Sequence, residues 1–134
     1  MTAMDQPPAI VLNIPTAPTV DAQRMLAAIA GAEGWHPGQL PGRHGERGPW
    51  QITPAVWRKY SRTIQATASM AEQRRVATAH LKATLLDLWR HSLPETPYWV
   101  ALVWNAGMTG AVIGAPAESR DYAQRASNLY HAAR

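Results

Sequence analysis

At 134 residues the chain suffices for one domain around a single buried core. Hydrophobic residues make up 46% and charged residues 16%, which excludes a disordered chain; the absence of cysteine excludes disulfides, thiol nucleophiles and cysteine-ligated metals. A net charge of +4 and a pI near 10.0 admit polyanionic partners such as nucleic acid, anionic lipid headgroups or a bacterial wall, among which charge alone does not choose.

Helix-forming alanines and the scarcity of alternating β-branched runs predict an all-α domain. Residues 1–18 carry Pro7, Pro8, Pro15 and Pro18 around the short apolar run Ala9–Leu12 and read as an N-terminal arm, with the helical domain over 19–134. No stretch approaches the ~20 apolar residues that span a bilayer, and the N-terminus lacks the basic and long apolar regions of a signal peptide. Thr19 then offers an N-cap, with Asp21 supporting the dipole in the first turn. Val20, Met25, Leu26, Ile29 and Ala32 put one face of the first helix toward a core, and Glu33 stands near its end.

Residues 34–52 hold Gly34, Pro37, Gly38, Pro41, Gly42, Gly45, Gly48 and Pro49 and read as a long loop, whose tryptophans argue for order and whose length argues for function. Thr53-Pro54 is a cap followed by proline at the first helical position and opens a helix through Trp57 and Tyr60. A long helix is expected over about 67–91, with Met70, Val76, Leu81, Leu85, Leu88 and Trp89 at helical spacing. Thr96-Pro97 repeats the cap-proline signal and opens a very apolar helix that Gly107 should end, with Gly110 and Gly114 marking another turn. The last helix, about 116–133, carries Tyr122, Ala126, Leu129 and Tyr130 on one face.

Three blocks carry chemistry: the helix ending in Glu33; Gly48-Pro49-Trp50-Gln51-Ile52-Thr53-Pro54-Ala55; and Val103-Trp104-Asn105-Ala106-Gly107. In that order they resemble the soluble lytic transglycosylase family of the lysozyme superfamily, including goose-type lysozyme-like domains. That family has a catalytic Glu usually followed by Ser, a Gly-Leu-Met-Gln-Ile-Met-Pro-Ala block and an Ala-Tyr-Asn-Ala-Gly block. The tail Glu118-Ser119-Arg120-Asp121-Tyr122-Ala123 is similar to its Glu-Thr-Arg-x-Tyr-Val segment, and the resemblance covers about residues 22–130.

The resemblance implies a lysozyme-like helical domain that cleaves the β-1,4 bond between N-acetylmuramic acid and N-acetylglucosamine in peptidoglycan. Glu33 would act first as acid and then as base, closing a 1,6-anhydro ring on the muramyl residue. A half-buried, apolar setting that keeps its carboxyl protonated is the physical requirement. Gln51, Asn105 and Tyr122 would line the cleft. Trp35 and Trp50, on the loop, would offer flat faces to sugars, and Trp104 stands where the family has Tyr. Gly34 in place of Ser removes a polar contact. Glu46, thirteen residues beyond Glu33, is a possible second carboxylate: a hydrolytic, inverting lysozyme would need it about 6.5–9.5 Å from Glu33. It could equally brace the loop or pair with Arg43 or Arg47. A lysozyme-like fold that binds glycan without cutting it is the remaining alternative within the resemblance.

His36, His44 and His80 invite a metal reading, but His44-Gly45-Glu46 lacks the companions of a zinc motif, so neither metal nor cofactor is expected. A nucleic-acid binder needs cations gathered on one face; here they read as scattered over every segment. The expected partner is therefore a peptidoglycan glycan strand, met by a monomer in the periplasm or cell wall, as a phage-released bacteriolytic protein or one whose leader has been removed.

Overall fold

The computed structural model describes residues 20–133, and the expected N-terminal arm and the Thr19 cap lie outside them. Five α-helices follow in order: α1 (Ala22–Glu33), α2 (Pro54–Tyr60), α3 (Met70–Arg90), α4 (Pro97–Gly114) and α5 (Ala117–Ala132). A short 3-10 turn, Gln65–Thr67, precedes α3. No strand occurs among the described residues, so the domain is all-α.

The helix starts follow from side-chain chemistry. Thr53 and Thr96 each accept a hydrogen bond from the backbone N–H three residues on, with Pro54 and Pro97 in the first turn; the hydroxyl satisfies an otherwise orphaned donor, and proline has none to lose. α1 corrects the sequence reading: Asp21 is itself the N-cap, its Oδ1 accepting from Arg24 N at 2.8 Å. The long helix starts at Met70 rather than 67, because Ser69 caps it and Gln65–Thr67 form their own turn. Gly107 does break α4, with φ 76° and ψ 164°, but Gly110 lies inside the second half of that helix rather than in a turn.

α1 and α5 run antiparallel. At one end Tyr130 Oη accepts from Asp21 N at 3.0 Å, Arg24 Nε donates to the Tyr130 carbonyl at 2.7 Å, and the Arg24 guanidinium lies 4.2 Å from that ring's centre. At the other end Glu33 meets Tyr122. Leu26, Ile29, Leu81, Leu88, Val100, Ala123 and Ala126 form the core among these helices and α3 and α4. Of the expected apolar face of α5, Tyr122, Ala126 and Tyr130 are buried, while Leu129 stays exposed at the rim. Met70, expected on the apolar stripe of α3, is exposed as well. No single helix among the described residues is long and apolar enough to cross a membrane.

Candidate functional site

The loop between α1 and α2 is ordered by hydrogen bonds rather than by a sheet. Arg47 and Ile52 exchange two backbone bonds of 3.1 Å each, closing a tight turn over Gly48–Gln51. Trp50 locks that turn to the core. It is 3% exposed, its indole N–H donates to the Leu26 carbonyl at 2.9 Å, and the Arg74 guanidinium sits 5.1 Å from its ring centre. Its carbonyl accepts from the Trp104 indole N–H at 3.1 Å. The expectation that Trp50 offers a face to sugar is corrected: its ring is packed inside, because an indole can satisfy its only donor on α1 while burying the rest. Trp104, named from the sequence as a substrate-binding candidate, is half-buried; its N–H is committed to the loop and its ring lies 4.7 Å from that of His80.

Glu33 is the last residue of α1 and half-buried. The helix stops there because Gly34 takes the left-handed conformation, φ 64°, and returns its N–H to the Ala30 carbonyl at 3.2 Å. A side chain at that position would be strained. Glycine at this point is thus a backbone requirement of this helix end.

From α5, Tyr122 Oη donates to Glu33 Oε2 at 2.7 Å. Burial raises the Glu33 carboxyl above its ordinary value; the Tyr122 donor and, more weakly, Arg125 oppose this, while the charge of Glu46 adds to it. Burial, together with the Glu33 charge it faces and bonds, also pushes the Tyr122 hydroxyl upward. It therefore stays a protonated donor. With Oε2 occupied by that hydroxyl, a proton on Glu33 is carried by Oε1, the oxygen left to act on a bound molecule.

Glu46 braces the loop through one oxygen, with Oε1 accepting from His44 N at 2.7 Å. Its other oxygen packs over Gly42, where a Cβ would collide with it. Gln51 stands beside that carboxylate in a left-handed backbone conformation, φ 48°, uncommon outside glycine. Its Nε2 donates to the Gly48 carbonyl at 2.8 Å, and its Oε1 comes within 3.4 Å of the position a Gly42 Cβ would take. Gln51 therefore both satisfies its own loop and presents an oxygen next to Glu46. Trp35 is half-buried and lines a narrow groove with Gln39, Arg47 and Gln65. Asn105 is exposed on α4 and so does not tie down the core.

Arg125 was not singled out by the sequence. It is three residues beyond Tyr122, hence on the same face of α5, and its guanidinium lies 5.9 Å from the Tyr122 ring centre. That spacing was the available signal. Among the described residues no group of three or more His, Asp or Glu side chains could hold a metal ion. His80 is a packing residue, set between Tyr60 and Trp104; burial lowers it to about 4, with Lys59 adding to the shift and Asp87 opposing it.

No protein-family model, curated protein or solved structure matches the chain. The arrangement is that of one carboxyl whose proton affinity burial raises, bonded by a phenol, with a second carboxylate close enough for its charge to add to that rise.

Proposed function

We propose that the protein is a peptidoglycan-cleaving lytic transglycosylase with Glu33 as its acid and base. The observation that carries this reading is the contact of Glu33 with Tyr122, a half-buried carboxyl with a raised proton affinity, formed between two segments that resemble family motifs. A carboxyl that remains protonated near neutral pH can protonate the glycosidic oxygen as the bond breaks. The resulting carboxylate then takes the proton of the muramyl 6-hydroxyl as that oxygen attacks the anomeric carbon, closing the 1,6-anhydro ring. Tyr122 steadies both forms of Glu33 through one oxygen. Gln51 and Asn105 are the candidate polar contacts to sugar, and Trp35 the candidate apolar one.

Hydrolysis is the competing outcome, because Glu46 is close enough for its charge to act on Glu33. The bond from His44 N to Glu46 Oε1 fits a bracing role better than activation of water.

Mass spectrometry of purified peptidoglycan digested by the wild type and by Glu33→Gln separates the readings. Anhydromuramoyl ends, lost in the variant, are expected. Reducing ends would mean a lysozyme and make Glu46 the next substitution. Retained wall binding with no product from either protein would leave a glycan-binding module.

A further inference from the structure

The charge of the chain is not spread evenly. Between Pro54 and Lys82 six cations (Arg58, Lys59, Arg62, Arg74, Arg75 and Lys82) face one acid, Glu72, whereas the rest of the chain holds seven cations and eight acids. The cations occur in every segment, as read from the sequence, but the net positive charge sits in α2, the first two thirds of α3 and the connection between them. All six of these cations are exposed.

The structure brings the two stretches together. Arg75 Nη2 donates to the Tyr60 carbonyl at 2.6 Å, and Ser61 Oγ donates to Glu72 Oε2 at 2.6 Å, so the end of α2 is tied to the start of α3. The buried stripe of α3 is Val76, Ala77, Leu81, Thr84 and Leu88. Opposite it, at helical spacing, runs Ala71, Arg75, Ala79, Lys82 and Leu86, a ridge about 22 Å long at 1.5 Å per residue. Glu72 pairs with Arg75 on that ridge, Nε to Oε1 at 2.7 Å, which leaves Lys82 as the ridge's cation without a carboxylate partner among the described residues; a shallow groove along it is lined by Ala71, Arg74, Arg75, Thr78, Ala79 and Lys82. Leu86, 43% exposed, stands one turn beyond Lys82 on that ridge, and Ile64, 74% exposed, lies in the connection after α2 that also holds Arg62.

We propose that this face is a docking surface for an anionic lipid bilayer, with the cations on headgroup phosphates and Ile64 and Leu86 at the acyl boundary. A bilayer interface accommodates both kinds of side chain at once. A nucleic acid would leave the apolar ones in water, and no Trp or Tyr among the described residues is exposed to stack on bases. The surface lies on α2 and α3, whereas Glu33 and Tyr122 sit on α1 and α5, so the inference stands apart from the proposed glycan chemistry.

The test is sedimentation of the full chain with vesicles of phosphatidylglycerol and phosphatidylcholine in equal parts, against vesicles of phosphatidylcholine alone. Binding to the anionic vesicles only, falling steeply with added salt, is expected. Lys82→Gln and, in parallel, Arg62→Gln should each weaken it about fivefold, and Leu86→Ser should weaken it without changing the salt dependence. Arg43→Gln, a loop cation outside the patch, and Glu33→Gln should bind as the wild type does, thermal melts confirming that each variant folds. Failure to bind anionic vesicles at low salt would overturn the inference. Equal weakening by Arg43→Gln and Lys82→Gln would do so as well, as would tighter binding to a 20-nucleotide DNA at the same ionic strength.

Discussion

Tyr122 Oη lies 2.7 Å from Glu33 Oε2 across 89 residues of sequence, so the phenol of the last helix fixes which carboxyl oxygen of the first is free. Tyr122→Phe removes the donor that lowers the Glu33 pKa and leaves the burial that raises it. The acid form should then persist to higher pH. In a peptidoglycan-clearing assay the alkaline limb of the pH profile should move upward, with weaker activity throughout from the lost aim. An unmoved limb would separate Tyr122 from the proton chemistry. The lost hydrogen bond should lower stability by about 1 kcal/mol.

Glu33→Gln should abolish clearing and, at neutral pH, stabilise the fold. The folded protein holds the Glu33 proton more tightly than the unfolded chain, whose carboxyl titrates near its ordinary 4.5. Stability attributable to this group is therefore greatest below 4.5 and declines as pH rises through the raised folded value. Urea unfolding of both proteins at pH 7.5 and pH 4 should show the variant ahead at the first and level at the second. A variant less stable at pH 7.5 would count against the desolvated carboxyl.

His80 carries the opposite sign. Its folded pKa is depressed to about 4 from 6.5, so the unfolded chain takes up a proton first as pH falls. Stability should drop between 6.5 and 4, by at most about 3 kcal/mol. His80→Phe, placed between Tyr60 and Trp104, should flatten that part of a stability-against-pH curve while leaving the contribution of Glu33 in place.

Gly34→Ala probes the helix end that carries Glu33. Nothing stands within 4 Å of the added methyl, yet φ is 64°, so the whole effect is backbone strain of about 1 kcal/mol. Thermal melts should show a fall of several degrees. No loss would mean that α1 ends in another way.

The cap-proline pairs Thr53-Pro54 and Thr96-Pro97 made two helix starts readable, because each signal is local and has one meaning. α1 was misplaced at its start because Thr19 and Asp21 are both competent caps, and only the bond to Arg24 N chooses between them. Trp50 was beyond the sequence for a different reason: an indole suits a core and a sugar platform equally, and its partner, the Leu26 carbonyl, lies 24 residues away. Asn105 sits in an apolar run, yet it is exposed, and nothing in the local pattern of α4 separates an exposed position from a buried one there. The meeting of Glu33 with Tyr122 could be anticipated only by resemblance, since no spacing rule reaches across three intervening helices.

Trp50 reaches α1 through its N–H and receives α4 through its carbonyl. A segment stapled in that way is not a flap. Opening the loop means tearing an indole out of the interior, so the loop that follows Glu33 has to be set in place when the protein folds rather than when a ligand arrives. Exchange of the Trp50 indole N–H and of the Ile52 amide should accordingly report global unfolding, with the loop already in place before any ligand binds.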